Sequence, residues 1–130
     1  MPHVQVIGPL SLQDLVSPLS HILDAAPPLV LKIQEAYLSH DAKHLLLESV
    51  VVEGYLRQGF FLLIRQEEQG VLIRCHPTVP VQKTDGVKKL IALVARTCID
   101  LCRGSHVGHT NLQAYLGGDL QKEPPEQPHP

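Results

Sequence analysis

The stretch HLLLESVVVEGYLRQGFFLLIRQEEQGVLIRCH, from His44 to His76, decides the fold. It holds three runs rich in Val, Ile, Leu and Phe, at His44 to Glu53, Phe60 to Gln66 and Val71 to His76. Short polar or glycine-bearing breaks divide them, the texture of strands joined by tight turns. Gly54 and Gly59 bracket the first connection, and Glu67 to Gly70 reads as a polar hairpin turn. Connections this short leave no room for a crossover helix, so the strands pair antiparallel.

Working upstream, Leu29, Leu31 and Ile33 alternate with Val30, Lys32 and Gln34, and Ser39 to Lys43 makes a polar break before the next run. This adds a fourth strand to the meander. The segment His3 to Ile7, closed by Gly8-Pro9, reads as a short strand that brings the sheet to five if it joins. Between them, Leu12, Leu15, Val16, Leu19, Ile22 and Leu23 fall on one helical face. That spacing predicts a helix from about Leu12 to Ala25, capped by Ser11 with Asp14 three residues on, distorted at Pro18 and ended by Pro27-Pro28.

Downstream, Val87, Leu90, Ile91, Val94, Cys98, Leu101 and Cys102 form a continuous helical stripe. The spacing predicts a closing helix from Asp85 to Arg103, with Asp85 as its cap and Gly104 in the left-handed conformation past its end. The whole order predicts an α+β fold, an antiparallel meander sheet of four to five strands with an N-terminal and a C-terminal helix packed on one face. Residues 1–116 are expected to form a single domain, and the tail 117–130, ending KEPPEQPHP, to be disordered.

Composition sets outer limits on function. The chain has 130 residues, 44% hydrophobic and 18% charged, with a net charge of -2, which argues against disorder and against a basic nucleic-acid surface. With no Trp, three Tyr and two Phe, a base-stacking platform is also poorly supported. Three cysteines cannot all pair within one chain, so a disulfide framework is not expected. No window reaches a membrane span, and the N-terminus lacks the pattern of a secretory signal, so a cytoplasmic protein is expected.

The sharpest chemical pattern is Cys98, Cys102, His106 and His109, spaced C-x3-C-x3-H-x2-H. Thiolate and imidazole are ligands zinc prefers, and a continuing helix would keep all four on one face. Gly104-Ser105 interrupts that helix, however, and both cysteines already belong to the apolar stripe, where a free Cys packs as a small hydrophobe. Zinc is thus the one cofactor the sequence suggests, while packing of the stripe needs none. Cys75-His76 resembles a nucleophile beside a base, but adjacent strand residues point to opposite faces, and pairing would need His40 or His44 from elsewhere. The His40-Asp41 pair fits an ordinary polar turn equally well. Glu48 and Glu53 differ in strand parity, which argues against a carboxylate pair; Glu48 shares its face with Val50 and Val52 and reads as a buried or interface acid, although such a residue more often sits at a sheet edge or beside a cation. Lys83, Lys88 and Lys89 gather near the start of the last helix, where a solvated face is the simplest account.

The strands carry apolar side chains on both faces, as in Val50-Val51-Val52 and Phe60 to Ile64, whereas a sheet with one wet face alternates cleanly. Helices cover one face; the other asks for a second copy or another protein partner. The expectation is therefore a small non-enzymatic binding protein that self-associates through its sheet as a homodimer. The alternatives are a zinc-type metal-binding protein using Cys98, Cys102, His106 and His109, and a carrier enclosing an apolar ligand between the curved sheet and the last helix.

Overall fold

A computed structural model of the chain describes residues 1–117. The chain runs β1 (His3–Ile7), α1 (Leu12–Leu19), β2 (Leu23–Ala26), β3 (Leu29–Leu38), β4 (His44–Glu53), β5 (Leu56–Gln66), β6 (Gly70–Cys75), α2 (Asp85–Leu101) and β7 (His106–Thr110), with a 3-10 turn at Gln113–Tyr115. All seven strands join one antiparallel sheet in the order β2-β3-β4-β5-β6-β1-β7. The class is α+β as the sequence predicts, but the sheet has seven strands where four to five were expected. The tail from residue 118 onward lies outside the described residues.

The two extra strands are β2 and β7. Leu23 and its neighbours fit the helical stripe, yet α1 stops at Leu19, one residue past Pro18. Proline at that depth has no N–H to give the preceding turn. Leu23 to Ala26 then pair with Leu29 to Lys32 in a hairpin whose turn holds Pro27-Pro28, joined by a cis peptide bond. β7 is short and polar, HVGHT, and pairs with β1 across an irregularity between Val4 and Val6. The β4–β5 connection is also tighter than expected. It consists of Gly54 and Tyr55, with Gly54 at φ 62°, and Gly59 lies inside β5.

Both helices pack on the concave side of the sheet. α2 packs closest against β1, β3, β4 and β6, the strands flanking the central β5, and α1 lies against β3 and β4. A sheet whose flanks meet the helix more closely than its centre is curled around it. Phe60, Leu62 and Ile64 of β5, none more than 3% exposed, fill the deeper centre. They join Val87, Leu90, Ile91, Val94 and Cys98 of α2 in one buried cluster.

Side chains of the sheet cap both helices. Ser11 stands at the N-cap of α1 without a side-chain cap bond; instead the Gln66 side chain accepts from Leu12 N at 3.3 Å and donates to the Leu10 and Gly70 carbonyls, each at 3.0 Å. At α2 the cap is Thr84, not Asp85: its hydroxyl accepts from Val87 N and donates to the Glu53 carboxylate. Glu53 also accepts from Gly86 N at 2.8 Å, and Asp85 instead accepts from the Tyr115 hydroxyl. Gly86 permits this approach, since a Cβ there would lie 2.6 Å from Glu53 Cδ and 2.7 Å from Val51 Cγ1. Past the end of α2, Gly104 takes the expected positive φ, at 87°.

Because Glu53 holds α2 while Asp85 is only its first-turn neighbour, Glu53→Ala is expected to cost about 2 kcal/mol, the loss of a cap together with orphaned donors. Asp85→Ala is expected to cost less than about 1 kcal/mol. Urea unfolding of the two variants measures the difference, and equal losses would return the cap to Asp85.

Candidate functional site

The convex face of the sheet is built by strand parity. On β4, Leu45, Leu47 and Val51 point into the core, which turns Leu46, Glu48, Val50 and Val52 outward. The register carries this across the sheet. Tyr37, Leu46, Leu63, Arg74 and His3 form one cross-strand row, and Glu35, Glu48 and Phe61 form the next. A third row runs Lys32, Val50 and Gly59. Leu63 and Val50 keep 9% and 8% exposure, screened by neighbouring side chains on a face without a helix. Leu46, Phe61 and Leu72 are half-buried, and Tyr37 is 51% exposed.

A recess of about 210 Å³ opens on this face, over Gly59 and between Val50, Phe61, Glu48, Arg57 and Val79. Val79 belongs to the segment after β6, which is tied down where His76 N donates to the Phe61 carbonyl. The same segment is held where the Gln58 side chain and the Gln82 backbone exchange two hydrogen bonds of 2.9 and 3.1 Å.

The charges of the face are unevenly placed. Glu35 and Glu48 stand directly opposite each other on β3 and β4, an arrangement that repels. The Tyr37 hydroxyl donates to Glu48 Oε1 at 3.1 Å, and that bond holds the phenol's pKa above its ordinary value. On the far side of β5, Arg74 is half-buried, and its Nε is shut off from solvent without a hydrogen-bond partner. Among the described residues the one ion pair is Arg65 with Glu67, at 3.3 Å.

A second concavity of about 400 Å³ lies between α2 and the β2–β3 hairpin. Leu29, Leu31, Ala92 and Leu93 line it, with Asp24, Lys89, Arg96 and Asp100 at its rim. Asp24 points inward from an edge strand, one of the devices that protect such strands from pairing with other chains.

The structure disperses the residues that the sequence singles out for chemistry. Cys98 is fully buried in the core, and burial pushes its thiol up to about 12. Cys102 ends α2, its thiol 3.6 Å from the Pro9 carbonyl, and His106 and His109 lie on β7. Among the described residues no group of three His, Cys, Asp or Glu side chains could hold a metal ion. Cys75 is buried, which raises its pKa, while the ring of His76 turns to Thr78. His44 pairs with Arg65 and Cys75 with Leu62, three residues apart along β5, and the exposed His44 faces outward whereas Cys75 is buried in the core. Asp41 accepts from Ser39 Oγ at 2.6 Å and Lys43 N at 3.1 Å, bonds that lower its pKa and lock the β3–β4 turn. Lys83 donates to the Val81 carbonyl, and Lys88 lies 5.9 Å above the Tyr115 ring.

Glu48 was legible as an acid sharing a strand face with Val50 and Val52, whereas Arg74, Tyr37 and Glu35 carry no local motif. Their shared face and their two adjacent rows follow from the register alone, which the turn lengths and the irregularity between Ile33 and Glu35 set. The chain matches no family model, no curated protein and no solved structure, so its function is read from this geometry. Among the described residues no helix is long and apolar enough to cross a membrane.

The thiols should separate by reactivity. A thiol with a pKa of about 12 is ionised in about one molecule in ten thousand at pH 8. Alkylation of the native protein at that pH is expected to label Cys102 alone, with Cys98 and Cys75 reacting after denaturation; peptide mass spectrometry reads the sites. Labelling of native Cys98 at the rate of Cys102 would contradict its place in the core.

Proposed function

We propose that the protein is a non-enzymatic binding protein that pairs with a second copy of itself through the convex face of its sheet. The observation that supports this most is the apolar centre of that face, where Leu46, Val50, Phe61, Leu63 and Leu72 stand on the side of the sheet away from both helices. An antiparallel sheet facing water on one side carries polar residues there. Four strands at a spacing of ~4.8 Å, each contributing about six residues, present on the order of 400 Å² in projection. Side-chain relief raises the area each partner buries toward the ~800 Å² of a stable pair. The rim carries both signs of charge, with Glu35 and Glu48 on one side and Arg65 and Arg74 on the other, which suits a surface that meets its own copy. Against an enzyme with a cysteine nucleophile, burial raises the pKa of both Cys75 and Cys98. The zinc reading rests on the spacing of Cys98, Cys102, His106 and His109 in the sequence.

Sedimentation velocity is expected to show a dimer for the wild-type chain. Leu63→Lys, which sets a charge at the centre of the face, is expected to give a monomer with the wild-type circular dichroism spectrum. A strictly monomeric wild type at high concentration overturns the reading.

A second reading, a small-ligand carrier, is favoured by the cleft between α2 and the β2–β3 hairpin, whose size falls at the small end of ligand sites. The centre of the sheet is filled by Phe60, Leu62 and Ile64, so the ligand would sit beside α2 under a charged rim rather than within an apolar interior. Native mass spectrometry of freshly purified protein would then show a bound small molecule that Leu93→Trp displaces. Ligand-free spectra from several expression hosts end this reading.

A further inference from the structure

We propose that the pair is held in one register by two equivalent ion pairs, Glu48 of each copy against Arg74 of the other, about a two-fold axis that crosses β5 between Phe61 and Leu63. This rests on the self-association reading and adds to it the operator and the residues that set it.

The two groups are each incomplete within one chain. Arg74 stands on β6 between Leu63 and His3, with its Nε buried and unbonded and its Nη1 facing the Met1 sulfur at 4.0 Å. A guanidinium is best satisfied by a carboxylate that takes two of its N–H groups at once, and neither contact here supplies one. Glu48 has the opposite need. It is half-buried, faces Glu35 across the β3–β4 ladder and receives one bond, from the Tyr37 hydroxyl. Neither Arg74 nor Glu48 has an ion-pair partner among the described residues.

They cannot satisfy each other within a chain. Glu48 is the neighbour of Phe61, and Arg74 the neighbour of Leu63, on opposite sides of β5. Two strand spacings across and two residues along separate them, about 12 Å by sheet geometry. The midpoint of that line falls on β5 between Phe61 and Leu63, at the apolar centre of the face. An axis lying in the face through this point, perpendicular to the line, exchanges the two positions. It lays Glu48 over the partner's Arg74 and Arg74 over the partner's Glu48, while Phe61 and Leu63 meet their own copies near the axis. Glu35 comes with Glu48, so the guanidinium gains a second carboxylate and the like-charge contact is relieved. By strand spacing alone, the strands of the two sheets then cross at roughly 70°, near the orthogonal arrangement of packed sheets.

Charge reversal in a mixture tests this. Glu48→Arg and Arg74→Glu each place two like-charged pairs in the homodimer, so each alone is expected to weaken the dissociation constant about 100-fold or more in sedimentation velocity. An equimolar mixture of the two variants makes both pairs again in the mixed dimer, one in its native sense and one reversed, and is expected to recover affinity to within about tenfold of wild type. Single variants that dimerise like wild type, or that weaken without recovery on mixing, overturn the register while leaving self-association in place; a monomeric wild type overturns both. Should a reversed variant fail to fold, Glu48→Gln and Arg74→Gln replace it, and the double variant is then expected to be no weaker than either single one, additive losses sinking the proposal.

Discussion

The structure depends on one packing constraint: a helix of 17 residues, with the short α1 beside it, must fill the hollow of a seven-stranded sheet. α2 can do so because the sheet curls, bringing its flanks to the helix, and because β5 supplies its bulkiest inward side chains at the centre, where the gap is deepest. The stripe from Val87 to Cys98 is buried to the last methyl, with Val87, Leu90, Ile91, Val94 and Cys98 each at 0% exposure. β1, the first strand, slots between β6 and β7, and it can lie so close to β6 because Gly70 has no Cβ; one placed there would sit 1.9 Å from the Val6 carbonyl oxygen. The first and the seventh strand thus lie side by side at one edge of the sheet.

Curling has a consequence for the other face. A sheet that wraps its core turns its convex side outward, and the chain has no third helix among the described residues to cover it. The side chains there nevertheless include an apolar group at the centre, Leu46 and Val50 of β4, Phe61 and Leu63 of β5 and Leu72 of β6. The inward side of these strands is covered by α1 and α2, and no helix among the described residues covers the outward side. That asymmetry, more than any individual residue, directs the functional reading to a surface.

How far the sequence shows this fold depends on the range of the interactions involved. The meander from Leu29 to Cys75 and the closing helix are legible because their determinants are local: alternation, turn chemistry and the spacing of an apolar stripe. The misread elements are settled by pairing partners that the local pattern does not contain, the next strand for β2 and a distant one for β7. Leu23 to Ala26 satisfy a helical pattern, but their hydrogen-bond partners lie on β3 beyond Pro27-Pro28. β7 is too short and polar to announce itself, and its partner lies about a hundred residues earlier. The caps behave in the same way. Ser11 and Asp85 are the residues the sequence suggests; at α1 the bond comes instead from Gln66, and at α2 from Thr84 backed by Glu53, and the reach of Gln66 and Glu53 from their strand ends is encoded in no window of sequence.

The same distinction of range sorts the chemistry. Most residue types that suggest a reaction are engaged in holding the fold: Cys98 in the stripe, Glu53 at the helix cap, Asp41 in the β3–β4 turn, His76 at Thr78. Each has its bonds or burial accounted for by its own surroundings. Glu48 and Arg74 do not, since one carboxylate faces another and the guanidinium keeps an unbonded buried nitrogen. Polar groups half-shielded beside apolar neighbours are expected to be satisfied in the working state of a protein, because leaving them unpaired is costly. Among the described residues the two lie too far apart to meet, and a surface that carries both halves of one pair suits the self-association proposed above.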